Sequence, residues 1–466
     1  MKLDWKMERP FCAVAVLIAA LFSGVGPAHG QASGGQYVTK SDPKANRFRG
    51  LNILHQVNEI LAAKYYDTDF RGLDMKAKFK AAEQAIRSQD NNWQIYRTIA
   101  QVLIDLQDSH TRFLPPDRKY RVEYGFSSTL IGDQCFVTAV KSGSDAEMKG
   151  LKPGDRIATI GDIPASRASF WVINYLIYGL DPQEQLKLSI VTPEGKPREI
   201  LVASRFLSPK ERNDERKKRI KDEQSKPFTC RSIGSDVVAC KLRTFQVEKE
   251  AIDQMMKEAA ASKKLILDLR GNGGGFVDTL AHFIGKFFAS DVEIGTEIAR
   301  GKRKGRLARG TENKAYNGEL VVLIDSESAS AAEVFARVMQ IEKRGKVVGD
   351  TSAGAVMTSL GYGIRTALYG RTLEPQQPYQ VSFISVSVGD LIMKDGNRLE
   401  GVGVSPDLPV GPTPMALLMR TDPVLAYAAE LTGAPIQAEK AGEFNFLHPK
   451  TEDALENDSS EDEPSR

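Results

Sequence analysis

The sequence predicts an α/β protein built from several domains. Its 466 residues exceed what a single hydrophobic core normally supports. The spacing of apolar residues also changes along the chain, from helical in 45–106 to short β-like runs in 121–205. From residue 237 onward, short apolar runs alternate with helical patterns, which is typical of an α/β core whose strands are buried on both faces.

The composition excludes some function classes. The chain is 41% hydrophobic and 26% charged, which is ordinary for a soluble globular protein. Its net charge is only +3, from 63 basic and 60 acidic residues. Nothing in this balance indicates binding to nucleic acid or to an anionic membrane surface.

The first thirty residues have the pattern of a secretory signal. Lys2, Lys6 and Arg9 precede an apolar run, 11–25, and small residues flank His29 after it. The run is short for a bilayer span, although an uncleaved anchor is the alternative. We therefore expect an exported mature protein, periplasmic or secreted, that has no membrane span.

Apolar spacing in 45–106 predicts three amphipathic helices, and Pro115-Pro116 would end the last one. The charged block 209–227 mixes both signs and reads as an exposed helix or linker rather than a binding patch. The polar leader 31–44 and the acidic end of the chain, 451–466, are expected to be disordered.

Cysteine usage predicts at most one disulfide in the mature chain. Cys12 would leave with the signal, so Cys135, Cys230 and Cys240 remain. The last two flank a turn-like stretch, and a hairpin disulfide between them is consistent with an oxidising compartment, although the sequence does not fix the connectivity. Because no paired histidines accompany the cysteines, a zinc site is not expected, and we predict no metal or cofactor.

A small-residue stretch, 325–333, follows the buried-looking strand 320–324 and precedes a helix. Ser330 lies where the helix would begin, so backbone N–H groups beside it could stabilise an oxyanion. The alternative is a structural cap, because serine is a preferred N-cap and Glu333 lies three residues later.

Two further segments carry residues that could bind a ligand or take part in catalysis. The stretch 267–275 joins a buried strand to a glycine-rich turn, which lets the backbone approach a ligand closely. It lacks the Gly-Lys-Ser/Thr of a phosphate loop and the dinucleotide fingerprint. His110 follows Ser109 near a helix end and could serve as a base for a serine, although a lone histidine is usually structural.

Taken together, Asp-Leu-Arg-Gly-Asn-Gly-Gly-Gly at 268–275, Ser-Ala-Ser-Ala-Ala-Glu at 328–333 and Ser109-His110 resemble the C-terminal processing peptidase family (S41), including its tricorn-core relatives. The resemblance covers roughly residues 45 to 412. It implies a ClpP/crotonase-like α/β catalytic core in which Ser330 is the nucleophile. It also implies an oxyanion hole formed by the N–H groups of Ala331 and Gly274.

The sequence departs from this family at the base. Many members use a lysine downstream of the serine, but Ala355 occupies the corresponding position. The tricorn-like branch instead uses a histidine with a neighbouring serine and a distant glutamate, which implies His110, Ser109 and Glu400. A structural ion pair is the alternative role for Glu400. No other lysine lies in a matching motif, although three could in principle supply a base: Lys343, Lys346 and Lys394.

Residues 121–205 resemble a PDZ domain. Tyr124-Gly-Phe-Ser127 is similar to its carboxylate-binding loop, which implies Gly125 and Phe126 as substrate-binding residues. Gly150–Ile157 resembles a later turn and strand of that domain. Such a domain would capture an extended C-terminal peptide at a sheet edge and present it to Ser330, unless it serves only as a spacer.

We therefore predict an exported serine endopeptidase that cleaves proteins or peptides near free C-termini with a histidine base. One alternative is a catalytically inactive peptide-binding protein on the same fold, and another is a hydrolase of small esters or lipid-like ligands. Whether the chain forms a homo-oligomer or uses an adaptor stays open. The predicted divisions are the signal peptide 1–30, a helical domain 45–118, the PDZ-like domain 121–205, a charged linker 206–227, the peptidase domain 228–412 and a C-terminal extension 413–466.

Overall fold

The computed structural model describes residues 42–116, 121–214, 217, 227–366 and 380–446. The predicted signal, almost all of the predicted leader, much of the charged linker and the acidic end of the chain lie outside these residues. The predictions for those segments therefore stay predictions.

Three helices form the N-terminal region, as the apolar spacing predicts. Each begins after an Asp or Asn whose side chain accepts a hydrogen bond from a backbone N–H in the first turn, which stabilises the helix start. Their apolar faces share one core with side chains that are almost fully buried, including Ile53, Val57, Ile86 and Leu103. The helices are α1 (Pro43–Lys64), α2 (Met75–Ile86) and α3 (Asn92–Ile104).

The next region is rich in β-structure, again as predicted, and has a hydrophobic core of its own. Its main sheet is antiparallel in the order β3-β4-β5-β7-β8, with β6 on β5, so that β3 lies at an edge. A separate pair joins β2 to β9. The elements are β1 (Arg112–Leu114), β2 (Arg121–Glu123), β3 (Phe126–Ile131), β4 (Gln134–Val140), α4 (Asp145–Met148), β5 (Arg156–Ile160), β6 (Ile163–Pro164), α5 (Arg167–Asn174), β7 (Gln185–Val191), β8 (Pro197–Ala203) and β9 (Arg205–Leu207).

The largest region alternates strands and helices. One sheet has the order β10-β11-β12-β15-β16-β19 and is parallel from β11 onward. A second sheet joins β1, β18, β13 and β14, with β17 also paired to β18. The elements are β10 (Phe228–Ile233), β11 (Val237–Leu242), α6 (Lys249–Ala259), β12 (Lys264–Asp268), α7 (Val277–Gly285), β13 (Val292–Ala299), β14 (Lys302–Ala308), β15 (Glu319–Ile324), α8 (Ala331–Ile341), β16 (Lys346–Gly349), β17 (Thr358–Thr366), β18 (Gln380–Met393) and β19 (Leu408–Pro409).

Both faces of the parallel sheet are covered. Leu265 and Leu267 of β12 pack with α6, α7 and α8, whereas Ile266 packs with helices at the C-terminal end of the chain. These helices are α10 (Pro423–Leu431) and α11 (Ala438–Gly442), which follow α9 (Pro414–Met419) in the chain. Burial on both faces explains why the strands are continuous apolar runs rather than alternating ones.

The parallel strands place the candidate motifs together. The glycine-rich stretch follows β12, the Ser330 stretch follows β15, and residues 350–357 follow β16. Because β12, β15 and β16 are neighbours and parallel, these three loops leave the same edge of the sheet. Ligand sites in such sheets lie outside the carboxyl ends of the strands.

Cys230 and Cys240 lie opposite each other in the β10–β11 hairpin and form a disulfide, while Cys135 is free and buried. Within the described ranges, no helix is long and apolar enough to cross a membrane. The same ranges contain no group of three or more His, Cys, Asp or Glu side chains arranged to hold a metal ion.

Candidate active site

Ser330 stands at a strained turn between β15 and α8. Its backbone has φ 54° and ψ −116°, a combination that non-glycine residues rarely adopt. Such a conformation costs on the order of 1–3 kcal/mol and persists where the surroundings enforce it, often at functional sites. The turn therefore supports a role for Ser330 beyond ordinary helix capping.

Gly274 of the glycine-rich loop packs directly against this turn. It has φ +90°, and a Cβ placed on it would lie 2.7 Å from Cβ of Ser330 and 2.9 Å from the N atom of Ala331. Only glycine fits this position, both for its backbone conformation and for its closeness to Ser330.

The two predicted oxyanion donors differ in their surroundings. The N–H of Gly274 donates to Oδ1 of Asn272 at 2.9 Å, so a role at an oxyanion requires it to leave that acceptor. Ala331 is the first residue of α8, and N–H groups in the first turn of a helix have no acceptor within the helix. The geometry thus favours Ala331 over Gly274 as a donor.

Glu333 connects the serine turn to the loop after β16. Its buried carboxylate accepts hydrogen bonds from the N–H of Ser330 (3.0 Å), the hydroxyl of Ser352 (2.6 Å), and the N–H groups of Gly354 (2.7 Å) and Ala355 (2.8 Å). Burial raises the pKa of Glu333 to about 7, against the opposing effect of these hydrogen bonds. Glu333 therefore does more than cap the helix, because it fixes the Ser330 turn to a second loop.

The histidine candidate belongs to the loop between α3 and β1. Nδ1 of His110 lies 2.7 Å from Oγ of Ser109, and the N–H of His110 donates to Asp108 at 2.9 Å. Burial lowers the pKa of His110, Asp108 raises it, and Arg112 lowers it, with a net downward shift. The imidazole is therefore neutral at pH 7, which is the form that a general base requires.

Glu400, which is distant in sequence, binds this loop. Its Oε1 accepts from the N–H of Ser109 at 3.0 Å, and its Oε2 accepts from the N–H of Val356 at 2.9 Å. Burial raises its pKa, while the hydrogen bonds from Ser109 and Val356 lower it. Among the described residues Glu400 has no salt-bridge partner, so the structural ion pair considered above is not observed.

Ala355, at the position where the family resemblance would place a lysine, lies between Glu333 and Glu400. The N–H of Ala355 binds Glu333, and the N–H of the next residue, Val356, binds Glu400. A continuous path of hydrogen bonds and adjacent residues thus links Ser330 to His110. No direct hydrogen bond joins the side chains of Ser330 and His110 within the described part of the chain.

The three lysines considered as alternative bases lie near the C-terminal end of α8, whereas Ser330 lies at its N-terminal end. Lys343 lies two residues after the end of α8, and Lys346 begins β16. Lys394 bonds to Glu342, the residue that follows α8, at 2.7 Å. An eleven-residue helix is roughly 16 Å long, so these amines are remote from Ser330 at its start. The structure thus argues against all three.

Sequence reasoning missed several groups that hold the site together. The buried carboxylate of Asp108 accepts from Thr111 and from the hydroxyl of Ser387 on β18, which fixes the His110 loop to the second sheet. The local signal for Asp108 was an acidic residue two positions before the histidine. Its partner Ser387, 279 positions away, had no signal in the sequence.

The β-rich region contacts the loops of the site. Oγ of Ser326 donates to the carbonyl of Leu130 on β3 at 2.6 Å. The guanidinium of Arg167, at the start of α5, donates to the carbonyls of Thr351 (3.1 Å) and Ser352 (3.2 Å) and pairs with Asp350. The two regions are therefore joined at the loops that carry the Ser330 turn and the residues bound to Glu333.

Gly125 and Phe126, the predicted substrate-binding residues, lie at the start of the edge strand β3. Gly125 has φ +72° and packs against Ser144, and its carbonyl accepts from the N–H of Lys141 at 2.8 Å. They are thus not part of the cluster around Ser330. They lie on the same strand whose other end reaches Ser326.

Comparison with known proteins identifies the region that carries these loops. Residues 236–410 match the sequence model of peptidase family S41. This segment is therefore similar to the peptidase domains of family S41. It contains Ser330, Glu333, Gly274 and Glu400, whereas Ser109 and His110 lie outside it.

Full-length relatives are distant in sequence. The tail-specific protease of Haemophilus influenzae is 25% identical over 265 residues, covering 53% of this chain but only 36% of that protein. The chloroplastic C-terminal processing peptidase of Tetradesmus obliquus is 22% identical over 378 residues, covering 75% of this chain and 74% of that protein.

A likeness to a solved structure extends beyond the matched segment 236–410. Mature CPAF aligns with a TM-score of 0.61 at 13% sequence identity, over 89% of this chain and 99% of that one. At this identity the likeness concerns the fold alone.

Proposed function

We propose that this protein is a serine endopeptidase in which Ser330 is the nucleophile and His110 is the general base. The observation that carries the proposal is the path from Ser330 through Glu333, the 355–356 backbone and Glu400 to Ser109 and His110. A serine–histidine mechanism requires the imidazole to come within hydrogen-bond reach of the serine hydroxyl. The path supports that approach because it fixes the Ser330 turn and the His110 loop to the same short segment.

In this mechanism His110 takes the proton of Ser330 as its Oγ attacks a peptide carbonyl. The N–H of Ala331, with a second N–H from the glycine-rich loop, stabilises the tetrahedral oxyanion by about 3 kcal/mol per donor. His110 then protonates the leaving amine, and water hydrolyses the acyl-enzyme. Ser109 and Glu400 hold the imidazole in the orientation that this proton transfer needs.

The substrate class follows from the β-rich region, which we infer to be a PDZ-like domain inserted before a ClpP/crotonase-like core. Its edge strand β3 begins at Phe126, beside Gly125, and its far end contacts the Ser330 loop through Ser326. A C-terminal peptide added to this edge, with its carboxylate near Gly125, would run toward the nucleophile. Cleavage near free C-termini is therefore the proposed activity.

The proposed location is an exported compartment, periplasmic or extracellular. The support is the signal-like pattern of residues 1–30 together with the Cys230–Cys240 disulfide, since disulfides persist in oxidising compartments. The inactive binding protein stays the second candidate. It is favoured by Ala355 at the lysine position and by the absence of a direct Ser330–His110 hydrogen bond in the described residues.

The test compares the mature protein with its Ser330→Ala and His110→Ala variants. Each is incubated with a fluorophosphonate probe and with two peptides of one sequence, one with a free C-terminus and one amidated. His55→Ala is the matched control, because His55 is an exposed histidine of α1.

We expect wild type and His55→Ala to be labelled and to cleave the free peptide faster than the amidated one, while the other two variants are inert. Activity that survives in His110→Ala would overturn the proposed base. Absence of labelling in wild type would favour the binding protein. Ester turnover without peptide cleavage would indicate the small-ester hydrolase.

A further inference from the structure

A buried cluster of charges lies directly beneath the glycine-rich loop. Arg270, the residue before the loop's first glycine, is 2% exposed. Its guanidinium binds Asp268 (2.6 Å) on one side and, through both terminal nitrogens, Asp422 (2.9 and 2.7 Å) on the other. A two-pronged arginine–carboxylate contact fixes both distance and orientation.

The cluster is balanced in charge only when Asp422 is present. Lys241 donates to Asp268 at 3.2 Å and to the carbonyl of Arg270, so that two cations face two carboxylates. All four side chains are buried. Loss of the Asp422 carboxylate would leave an uncompensated positive charge beside Arg270 in the interior, which favours displacement of Arg270 from its present position.

Movement of Arg270 would also displace the next residues of the loop, which contact the Ser330 turn. Gly271, the next residue, donates to Asp325 at 2.8 Å, and the carbonyl of Asn272 accepts from the N–H of Ala329 at 2.9 Å. Gly274 then packs against Ser330. The glycine-rich loop is therefore held at one end by Arg270 and at the other by the serine turn.

Asp422 lies among the C-terminal helices, outside the segment 236–410 that matches the family model. It precedes α10 and accepts from the N–H of Leu425 at 3.0 Å, while its own N–H donates to the carbonyl of Ala438. The start of α10 thus orients the carboxylate that binds Arg270, a residue 152 positions earlier in the chain.

We propose that Asp422 is a positioning residue for the glycine-rich loop, so that the C-terminal helices complete the active site through the Arg270–Asp422 contact. The inference rests on the proposed peptidase function for its catalytic consequence. Its structural consequence, the order of residues 271–275, is independent of that function.

The test uses the Asp422→Asn variant of the mature protein. Asparagine keeps the size of the side chain and an acceptor for the Leu425 N–H, but it removes the charge and turns one prong into an N–H₂ group facing the guanidinium. Thr432→Val is the matched control, because Thr432 is equally buried in the same helical segment and bonds only to carbonyls of α10 through its hydroxyl.

Three readouts are compared: the fluorophosphonate labelling rate at Ser330, kcat and KM for the free-C-terminus peptide, and hydrogen exchange of the amides of 271–275. For Asp422→Asn we expect labelling and kcat to fall about tenfold or more while KM changes less than about twofold, as for a loss confined to the transition state. The amides of 271–275 should exchange faster. Thr432→Val should lower the melting temperature without changing any of the three readouts.

Unchanged exchange of 271–275 in Asp422→Asn would overturn the proposal. So would a loss of kcat that Thr432→Val shares in proportion to its loss of stability. If wild type is not labelled at all, the peptidase function fails, and the exchange comparison alone still decides whether Asp422 orders the loop.

Discussion

The carboxylate of Glu400 accepts a hydrogen bond from the backbone N–H of Ser109 at 3.0 Å, although 291 positions separate the two residues. Its second oxygen binds the N–H of Val356. One side chain thus joins the histidine loop, which precedes the β-rich region, to the loop that follows β16. In the proposed mechanism, this contact is what allows a histidine outside the matched segment 236–410 to serve a serine within it.

The first prediction concerns this carboxylate. In Glu400→Gln, one oxygen becomes an N–H₂ group that faces the N–H of Ser109 or Val356, and a buried donor left without an acceptor costs about 1–3 kcal/mol. We expect kcat to fall on the order of tenfold because His110 loses its orientation. The measurement is peptide cleavage beside Glu342→Gln, a glutamate paired with Lys394 away from the site. An effect of Glu400→Gln no larger than that of the control would contradict the role.

The second prediction compares two glycines with left-handed backbones. Gly274 has φ +90°, and an added Cβ would lie 2.7 Å from Cβ of Ser330, whereas Gly396 has φ +84° with open space around it. Alanine at either position costs about 1–2 kcal/mol for the backbone alone. Only Gly274→Ala should also abolish fluorophosphonate labelling. Equal labelling of the two variants would show that the Gly274–Ser330 contact is not needed.

Local patterns were sufficient to predict the elements that frame the site. A short apolar run followed by small residues and a helical pattern predicted β15, the Ser330 turn and α8, and the structure confirms all three. The three N-terminal helices and the strands β4, β5 and β7 followed from spacing in the same way, whereas β3, β6 and β8 were not predicted. These signals lie within a few residues, so the sequence expresses them directly.

The contacts that hold the candidate site together have no local signal in the sequence. Arg270–Asp422 and Asp108–Ser387 join residues that are 152 and 279 positions apart. Such pairs follow from how whole elements pack, which no local period records. The hydrogen bond that occupies the N–H of Gly274 is likewise a matter of loop geometry, and the motif alone indicated only that a glycine was needed.

The third prediction is a pH dependence of stability. Burial raises the pKa of Glu333 from 4.5 to about 7, so between these values the folded state binds a proton that the unfolded state has lost. Stability from this group is full below pH 4.5 and is lost as pH rises through 7, a change of about 3 kcal/mol. The pKa of Glu400 is raised as well and acts in the same direction.

Urea unfolding from pH 4 to 8 measures this effect. The free energy of unfolding of Glu333→Gln should depend less steeply on pH than that of wild type, whereas Glu258→Gln, at an exposed position of α6, should leave the dependence unchanged. A pH dependence in Glu333→Gln that matches wild type would mean that Glu333 is ionised in the folded state throughout this range.

The last prediction concerns the joint between the β-rich region and the site. Arg167 donates to the carbonyl of Ser352 at 3.2 Å, and the hydroxyl of Ser352 donates to Glu333, which binds the N–H of Ser330. Removal of the guanidinium in Arg167→Ala should loosen the 350–352 loop and lower kcat by roughly fivefold to thirtyfold, equivalent to about 1–2 kcal/mol.

Arg198→Ala supplies the matched comparison for Arg167. Arg198 also donates to two backbone carbonyls, those of Gly150 and Lys149, but both lie within the β-rich region itself. If Arg167 acts through the loop, its variant alone loses kcat. Equal kcat in the two variants would mean that the Arg167 contacts do not couple the β-rich region to the Ser330 turn. The proposed peptide binding at β3 would then have to influence cleavage through the Ser326–Leu130 contact.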